Sequence, residues 1–357
     1  MNVLTYYIVR EILKGSVIAL VLLLTLFNLF TLADELKDLG KGSYDLSAIF
    51  TYLALTSPRV CYELVPASAL LGSLFVLGSM GNNRELIAMR AAGVSIFGII
   101  QSVLVAGAIL ATFAIGMGEF IAPTAETSAQ MLRATAQNQQ LVSNARYGLW
   151  LREGNRFINV RKLEPNGELE DMSIYEINGI HLKSMTHAEK AVYLGNEQWK
   201  LENLAQSQIS TEKMQASSTL AQTWQTQIAP DLVKIAVVNP DNLSLFDLAQ
   251  YIQFLKSNQQ KYQTFELAFW GRIINPLVTF VMLLVATPFV IGVKRGVNVG
   301  SRMMIGIVIG MGFNILDKIF SHIGLIYDFN PFLVAIFPSL IVSSIGIYAL
   351  KKVTVSA

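Results

Sequence analysis

Six long apolar stretches divide the chain, at about 16–33, 64–80, 96–117, 273–293, 303–323 and 332–350. Each approaches the roughly 20 apolar residues that an α-helix needs to cross a bilayer. The first is too long for the apolar part of a signal peptide and has no small-x-small cleavage pattern before Asp34, so it reads as a retained anchor. The stretch between the third and fourth spans changes period. From about 133 to 239 the chain is rich in Gln, Asn, Glu and Ser, and no run is long enough to span.

Within that middle region Ile158 and Val160 alternate with Asn159 and Arg161, and Trp199 and Leu201 alternate with Lys200 and Glu202. Turn signals separate the alternating runs at Gly154-Asn155, Asn166-Gly167, Asn178-Gly179 and Gly195-Asn196. Short strands joined in this way predict an all-β sandwich or jelly roll of roughly 100 residues. It would serve as a binding module or as a rigid assembly surface. Beyond it, Ser244 and Asp247 resemble a capping box, and Leu248, Ile252 and Leu255 recur at helical spacing, which predicts an amphipathic connector. The expected fold is an α-helical membrane protein with six transmembrane helices and an inserted all-β jelly-roll domain. Its segments are 1–132 (three spans and a short helix at about 82–94), 133–240 (the β domain) and 241–357 (the connector and three spans).

Composition narrows the function classes. Of 357 residues 53% are apolar and 15% charged, which excludes an ordinary soluble enzyme. A formal net charge of +2 leaves no basic excess for nucleic acid. One cysteine, Cys61, and three scattered histidines, His181, His187 and His322, suggest neither a disulfide nor a metal site. No GxxxxGK[ST] loop and no Ser/His/Asp or Cys/His set is evident, so neither nucleotide binding nor catalysis is expected on this chain.

Charge also predicts orientation. With six spans, the side holding both termini carries Arg10, Lys14, Arg84, Arg90, Lys294, Arg295, Arg302, Lys351 and Lys352, against Lys37, Lys41 and Arg59 in the short loops of the other side. Nine against three places the termini in the cytoplasm and the β domain outside it.

Three places could carry function. In 82–94, Leu86, Met89 and Ala92 or Gly93 share one face of a short helix, while Arg84, Glu85 and Arg90 supply ionic contacts. This suits docking into a groove of a soluble partner, as the coupling helices of ABC permeases do, or alternatively an interfacial turn. Lys37 and Lys41, four apart, would share a face of any helix continuing from the first span and could hold lipid phosphates. The competing reading is local ion pairing to Asp34, Glu35 and Asp38. Asp317 and Lys318 sit about 21 Å into the fifth span at 1.5 Å per residue, where charges cost about 2.5–3.5 kcal/mol each at the bilayer centre and should face protein, water or the interface. Earlier in that span, Gly306 and Gly310 read as a packing motif.

The whole chain resembles the LptF/LptG family of lipopolysaccharide export permeases, and within it the LptG branch. The matching stretches are Gly42-Ser43-Tyr44-Asp45, Pro66-Ala67-Ser68-Ala69-Leu70-Leu71-Gly72, Arg84-Glu85-Leu86 through Gly93, Gly118-Glu119 with Ala122-Pro123, Gly148-Leu149-Trp150, Trp270 with Pro276, and Leu316-Asp317. The resemblance implies a permease subunit that heterodimerises with LptF in a Gram-negative inner membrane, with its β domain periplasmic. An LptB ATPase dimer binding ATP and magnesium would dock on the coupling helices, with no cofactor on the chain itself, and LptC would join at the periplasmic side. Lipopolysaccharide would enter past spans one and five and pass to a periplasmic β-jellyroll bridge.

Carried onto this sequence, the resemblance assigns ATPase coupling to Arg84, Glu85, Leu86, Met89 and Arg90, matches Lys37 to a basic position near the lipid phosphates and Arg133 to one of two arginines below the β domain, and leaves Lys41 as the residue that would compensate for a missing lysine in lipopolysaccharide binding. Asp38, Thr31 and Gln130 stand where the family has further basic residues. Phe27, Phe30, Phe313 and Phe320, on the apolar faces of spans one and five, are the candidates for lining the acyl cavity. The alternatives are a MacB-like or lipoprotein-releasing permease, expected to have four spans with its large domain after the first, and outside transport a membrane-anchored enzyme or a scaffold.

Overall fold

The computed structural model describes residues 3–137, 148–164, 166–209, 213–291 and 299–355. The chain packs as two compact units, one of residues 1–34, 53–126 and 263–357, the other of 35–52 and 127–262. Among the described residues six helical segments are long and apolar enough to cross a membrane. They are built on α1 (Val3–Glu35), α2 (Leu46–Asn82), α4 (Ile96–Gly116) continuing through a π turn (Met117–Ile121) into α5 (Ala122–Ala136), α8 (Gln263–Ile291), α9 (Val299–Ile326) and α10 (Pro331–Val355). Five of the six expected spans lie within these helices. The fourth, at 273–293, runs past Ile291 and ends outside the described residues, as do Lys294 and Arg295.

The helices outrun their apolar cores because the charged residues beyond those cores find partners, some of them far along the chain. The second span, expected from 64, begins at Leu46, since Arg59 is paired with Glu63 at 3.0 Å and with Glu126 at 3.1 Å. α2 is the most covered of the spans, α1 and α9 the least. Glycines set the helix crossings. A Cβ on Gly72 of α2 would lie 2.3 Å from the Ser16 nitrogen of α1, and one on Gly306 of α9 would lie 2.5 Å from Leu74 Cδ1 of α2. Gly310 meets α2 at 3.8 Å, so the Gly306/Gly310 pair is a packing surface.

The inserted domain is a six-stranded antiparallel sheet: β1 (Leu149–Glu153), β2 (Arg156–Leu163), β3 (Leu169–Asn178), β4 (His181–Gly195), β5 (Gln198–Ile209) and β6 (Met214–Gln225). Its strands follow in consecutive order, a meander, where the sequence pattern suggested a sandwich or jelly roll. Short connections make each strand pair with its chain neighbour. The four turn signals fall at the β1–β2, β2–β3, β3–β4 and β4–β5 junctions, and glycines 154, 167, 179 and 195 all have positive φ there.

Midway along the strands the alternation slips by one residue. The buried positions jump from Val160 to Leu163, from Leu169 to Met172, from Ala188 to Ala191 and from Leu201 to Leu204. Asp171 and Asn203, at φ 51° and 52°, absorb the slip.

The same unit contains α6 (Pro230–Val237) and α7 (Leu245–Ser257), with Ser244 as N-cap of α7, its Oγ accepting from the Asp247 amide at 3.1 Å. The connector helix, grouped by sequence with the last three spans, packs with the sheet: Asn258 Oδ1 accepts from the Gly154 amide at 3.0 Å, and Gln260 Nε2 donates to the Arg152 carbonyl at 3.2 Å.

Candidate functional site

Between α2 and α4 the chain forms a seven-residue helix, α3 (Glu85–Ala91), defined by its two ends. Arg84 takes a left-handed conformation at φ 63°, breaking the run of α2. At the other end Gly93, at φ 90°, closes a Schellman motif, with the Val94 amide donating to the Met89 carbonyl at 3.1 Å and the Gly93 amide to Arg90 at 3.0 Å. Ser95 then caps α4, its Oγ accepting from the Gly98 amide at 3.1 Å.

The residues proposed for partner contact divide over the two faces of α3. Leu86 is buried in one cluster with Ile8, Val9 and Ile12 of α1, Met80 of α2 and Ile99 of α4, and Met89 and Val94 pack against it. Arg84, Ile87, Ala88, Arg90 and Ala91 are exposed. Leu86 and Met89 of the apolar stripe therefore face this chain's own core while Ala92 and Gly93 are exposed, and the large outward apolar residue is Ile87, 56% exposed, which the helical spacing does not mark. Its signal was present: an isoleucine on the charged side of a very short helix. Glu85 is half-buried and accepts a hydrogen bond from Tyr7 Oη at 3.0 Å.

Next to α3, Arg302 in the first turn of α9 is buried against the last turn of α2. Nη1 donates to the Gly78 carbonyl at 3.1 Å and Nη2 to Asn82 Oδ1 at 3.5 Å. A cation at a helix C-terminus is favoured by the aligned carbonyl dipoles. Arg302 had been counted only among the loop charges that set orientation.

At the far end of α1, Lys37 and Lys41 do not share a helix face. α1 stops at Glu35, a 3-10 turn covers Leu36–Asp38, and Gly40 and Gly42, at φ 86° and 61°, bend the chain away. Lys37 is exposed on that turn. Lys41 and Arg133 are brought together on Asp38, at 2.6 and 2.9 Å, and Arg133 also reaches Glu35 at 3.3 Å. Tyr44 Oη donates to Glu35 at 2.9 Å, and burial followed by that carboxylate pushes its phenol well above the usual range. Two cations and two carboxylates balance, so the ion-pair reading of this helix end describes the geometry, and an incoming anion would have to displace Asp38.

Of the aromatic candidates, Phe27 and Phe30 are exposed on α1. Phe313 packs partly buried against the main core, and Phe320 meets Phe337 of α10 edge-on at 4.9 Å. Asp317 is half-buried and Lys318 exposed. A buried ionic site that no sequence signal marked lies at the π turn: Arg272 of α8 donates through Nε to Glu119 at 2.8 Å and through Nη2 to the Gly118 carbonyl, while Tyr62 Oη donates to the Arg272 carbonyl at 3.1 Å.

On the sheet, Ser173, His187 and Asp171 meet through β3–β4 pairing. Ser173 Oγ and Asp171 Oδ1 both approach His187 Nδ1, at 3.2 and 3.8 Å. A proton relay needs both ring nitrogens, so this is a polar cross-strand cluster with no nucleophile–base–orienter chain. Among the described residues no group of three or more His, Cys, Asp or Glu is arranged to hold a metal ion.

A bundle of six apolar helices, a β domain inserted after the third, and a short capped helix between the second and third span have known counterparts. The chain matches the family "Lipopolysaccharide export system permease LptF/LptG" over residues 6–352. It is 32% identical over 354 residues to the lipopolysaccharide export system permease protein LptG of Escherichia coli K12, covering 98% of both chains. To the Haemophilus influenzae LptG it is 31% identical over 342 residues, covering 95% of this chain and 96% of that one. The four-span plan expected of a MacB-like permease does not describe it. With its fold and nearly its whole length accounted for, this chain belongs to the LptF/LptG family of permeases.

Proposed function

We propose that this chain is the LptG-type half of an exporter that lifts lipopolysaccharide from the outer leaflet of a Gram-negative inner membrane and passes it to a periplasmic β-jellyroll bridge. Both termini and α3 face the cytoplasm and the β domain faces the periplasm, a reading supported by the Lys and Arg distribution. LptF completes the membrane cavity, an LptB ATPase dimer docks at α3 and binds the ATP and magnesium, and LptC joins on the periplasmic side. The work is large: each buried CH₂ of lipid A holds the lipid in the bilayer by about 0.8 kcal/mol, so extraction needs an external energy source.

The observation that carries this reading is the two-sided α3. Its inner face is anchored through Leu86 in the helical core while Arg84, Ile87, Ala88, Arg90 and Ala91 are presented outward. A helix so built passes a push from a docked protein directly into the bundle. At the other membrane face Lys37, Lys41 and Arg133 receive the lipid phosphates, which replace Asp38 as partner of Lys41 and Arg133. Phe27 and Phe30 meet acyl chains directly, and Phe313 and Phe320 support the wall from behind.

The test is reconstitution with LptF and LptB in lipopolysaccharide-containing vesicles. ATP-dependent release of lipopolysaccharide to a soluble acceptor is expected. An intact complex that hydrolyses ATP without releasing lipid would overturn the assignment.

A further inference from the structure

Building on the permease reading, we infer that Tyr7 and Arg302 are positioning residues that carry the movement of α3 into the two least covered spans, α1 and α9. Each span is fastened near its N-terminal end to the short stretch around α3. Tyr7 Oη of α1 donates to Glu85, the first residue of α3, at 3.0 Å. Arg302 of α9 grips Gly78 and Asn82 in the last turn of α2, immediately before α3.

Packing shows that the Arg302 contact is fitted. A Cβ on Gly78 would lie 3.0 Å from Arg302 Nη1 and 3.3 Å from its Cδ, so the approach of the guanidinium uses the missing side chain. Arg302 is only 4% exposed. If the end of α2 moved without α9, a buried cation and a helix-terminal carbonyl would lose each other, so α9 must follow. On the other side Ile8 and Ile12, in the same turns of α1 as Tyr7, share the buried cluster of Leu86, so α1 follows α3 through that shared core and the Tyr7 hydrogen bond.

Helix length then amplifies the stroke. At 1.5 Å rise per residue the 33 residues of α1 reach about 50 Å and the 28 of α9 about 42 Å. A small tilt imposed at the fastened end becomes a larger displacement at the far end. The two spans with the most uncovered surface are thus the ones held as levers, each fastened at the end of the bundle where α2 gives way to α3.

The test uses the full complex in vesicles and reads ATP hydrolysis and lipopolysaccharide release separately. In Tyr7→Phe, which removes one hydroxyl, and in Arg302→Gln, hydrolysis should stay within about twofold of wild type while release per ATP falls about five- to tenfold. Because Arg302→Gln also removes a buried charge, Gly78→Ala provides an independent variant that keeps Arg302 and displaces its guanidinium. It should uncouple in the same direction. A second readout is the nucleotide-dependent change in distance between spin labels at Leu29→Cys and Ile319→Cys on a Cys61→Ser background, which should shrink in all three variants.

Unchanged release per ATP with unchanged label movement would overturn the inference. So would a proportional fall of hydrolysis and release, which would place these residues in ATPase docking. If the wild-type complex hydrolyses ATP and releases no lipid, the transport reading falls, and the label distances still decide whether Tyr7 and Arg302 transmit.

Discussion

Arg272→Met tests whether the buried ionic site at the π turn holds the helices together. The guanidinium is 6% exposed and its partner Glu119 is 18% exposed, so solvent screens the pair little. Methionine keeps the stem volume and the backbone carbonyl that accepts from Tyr62, and deletes the charge that meets Glu119 and the Gly118 carbonyl. Breaking a buried pair from one side costs about 3–5 kcal/mol, because the remaining carboxylate keeps its desolvation without its cation. With roughly 2–4 °C lost per kcal/mol, the melting temperature should fall on the order of 10 °C. The measurement is thermal unfolding in nanodiscs followed by tryptophan fluorescence, with Trp270 two positions away as a local reporter. Adding Glu119→Gln removes the stranded charge and should recover most of the loss. Melting of the single variant within about 2 °C of wild type, or a double variant no better than the single, would refute the argument.

Ile87→Asp places a charge on the outward face of α3 without touching its buried side. On the proposed docking of an ATPase at α3, the variant should lose at least about 30-fold in affinity for it, the scale of an interface hot spot, while the chain stays monodisperse. Retained co-purification would show that docking lies elsewhere. Gly72→Ala forces a methyl to within 2.3 Å of the Ser16 nitrogen, backbone against side chain, and should cost about 1–3 kcal/mol. Gly116→Ala, which meets nothing within 4 Å, is the control and should melt like wild type. In the β unit, burial pushes the Tyr251 phenol up to about 12 from an ordinary value of 10.0. The folded domain keeps that proton where the unfolded chain releases it, so this contribution is whole below pH 10 and is lost as pH rises through about 12. Denaturant titration of wild type and Tyr251→Phe across that window should show a shallower decline in the variant, and parallel curves would remove Tyr251 as the source.

What could be read from sequence was what is local in the chain. A bilayer demands an apolar run of fixed length, so the six spans were legible, and glycine with asparagine demands a particular backbone, so the hairpin turns were legible too. Where a residue's fate depends on a partner far along the chain, the pattern misleads. Apolarity alone starts the second span at 64, and the helix runs on from Leu46 because Arg59 pairs with Glu63 and with Glu126, the latter 67 positions away. Lys37 and Lys41 share a face only if the helix continues, and spacing alone does not show that it stops at Glu35 and that Gly40 and Gly42 turn the chain away. α3 is the sharpest case. Seven residues make barely two turns, and each side carries apolar atoms, so the inward side is undetermined by periodicity alone. Leu86 settles it by joining the buried cluster that holds Ile8, Val9 and Ile12 of α1, more than 70 positions away. The same long-range contacts that hid the outward face of α3 from the sequence are the ones that bind α3 to α1. A loop helix resting on its neighbours in sequence alone would have been legible from spacing.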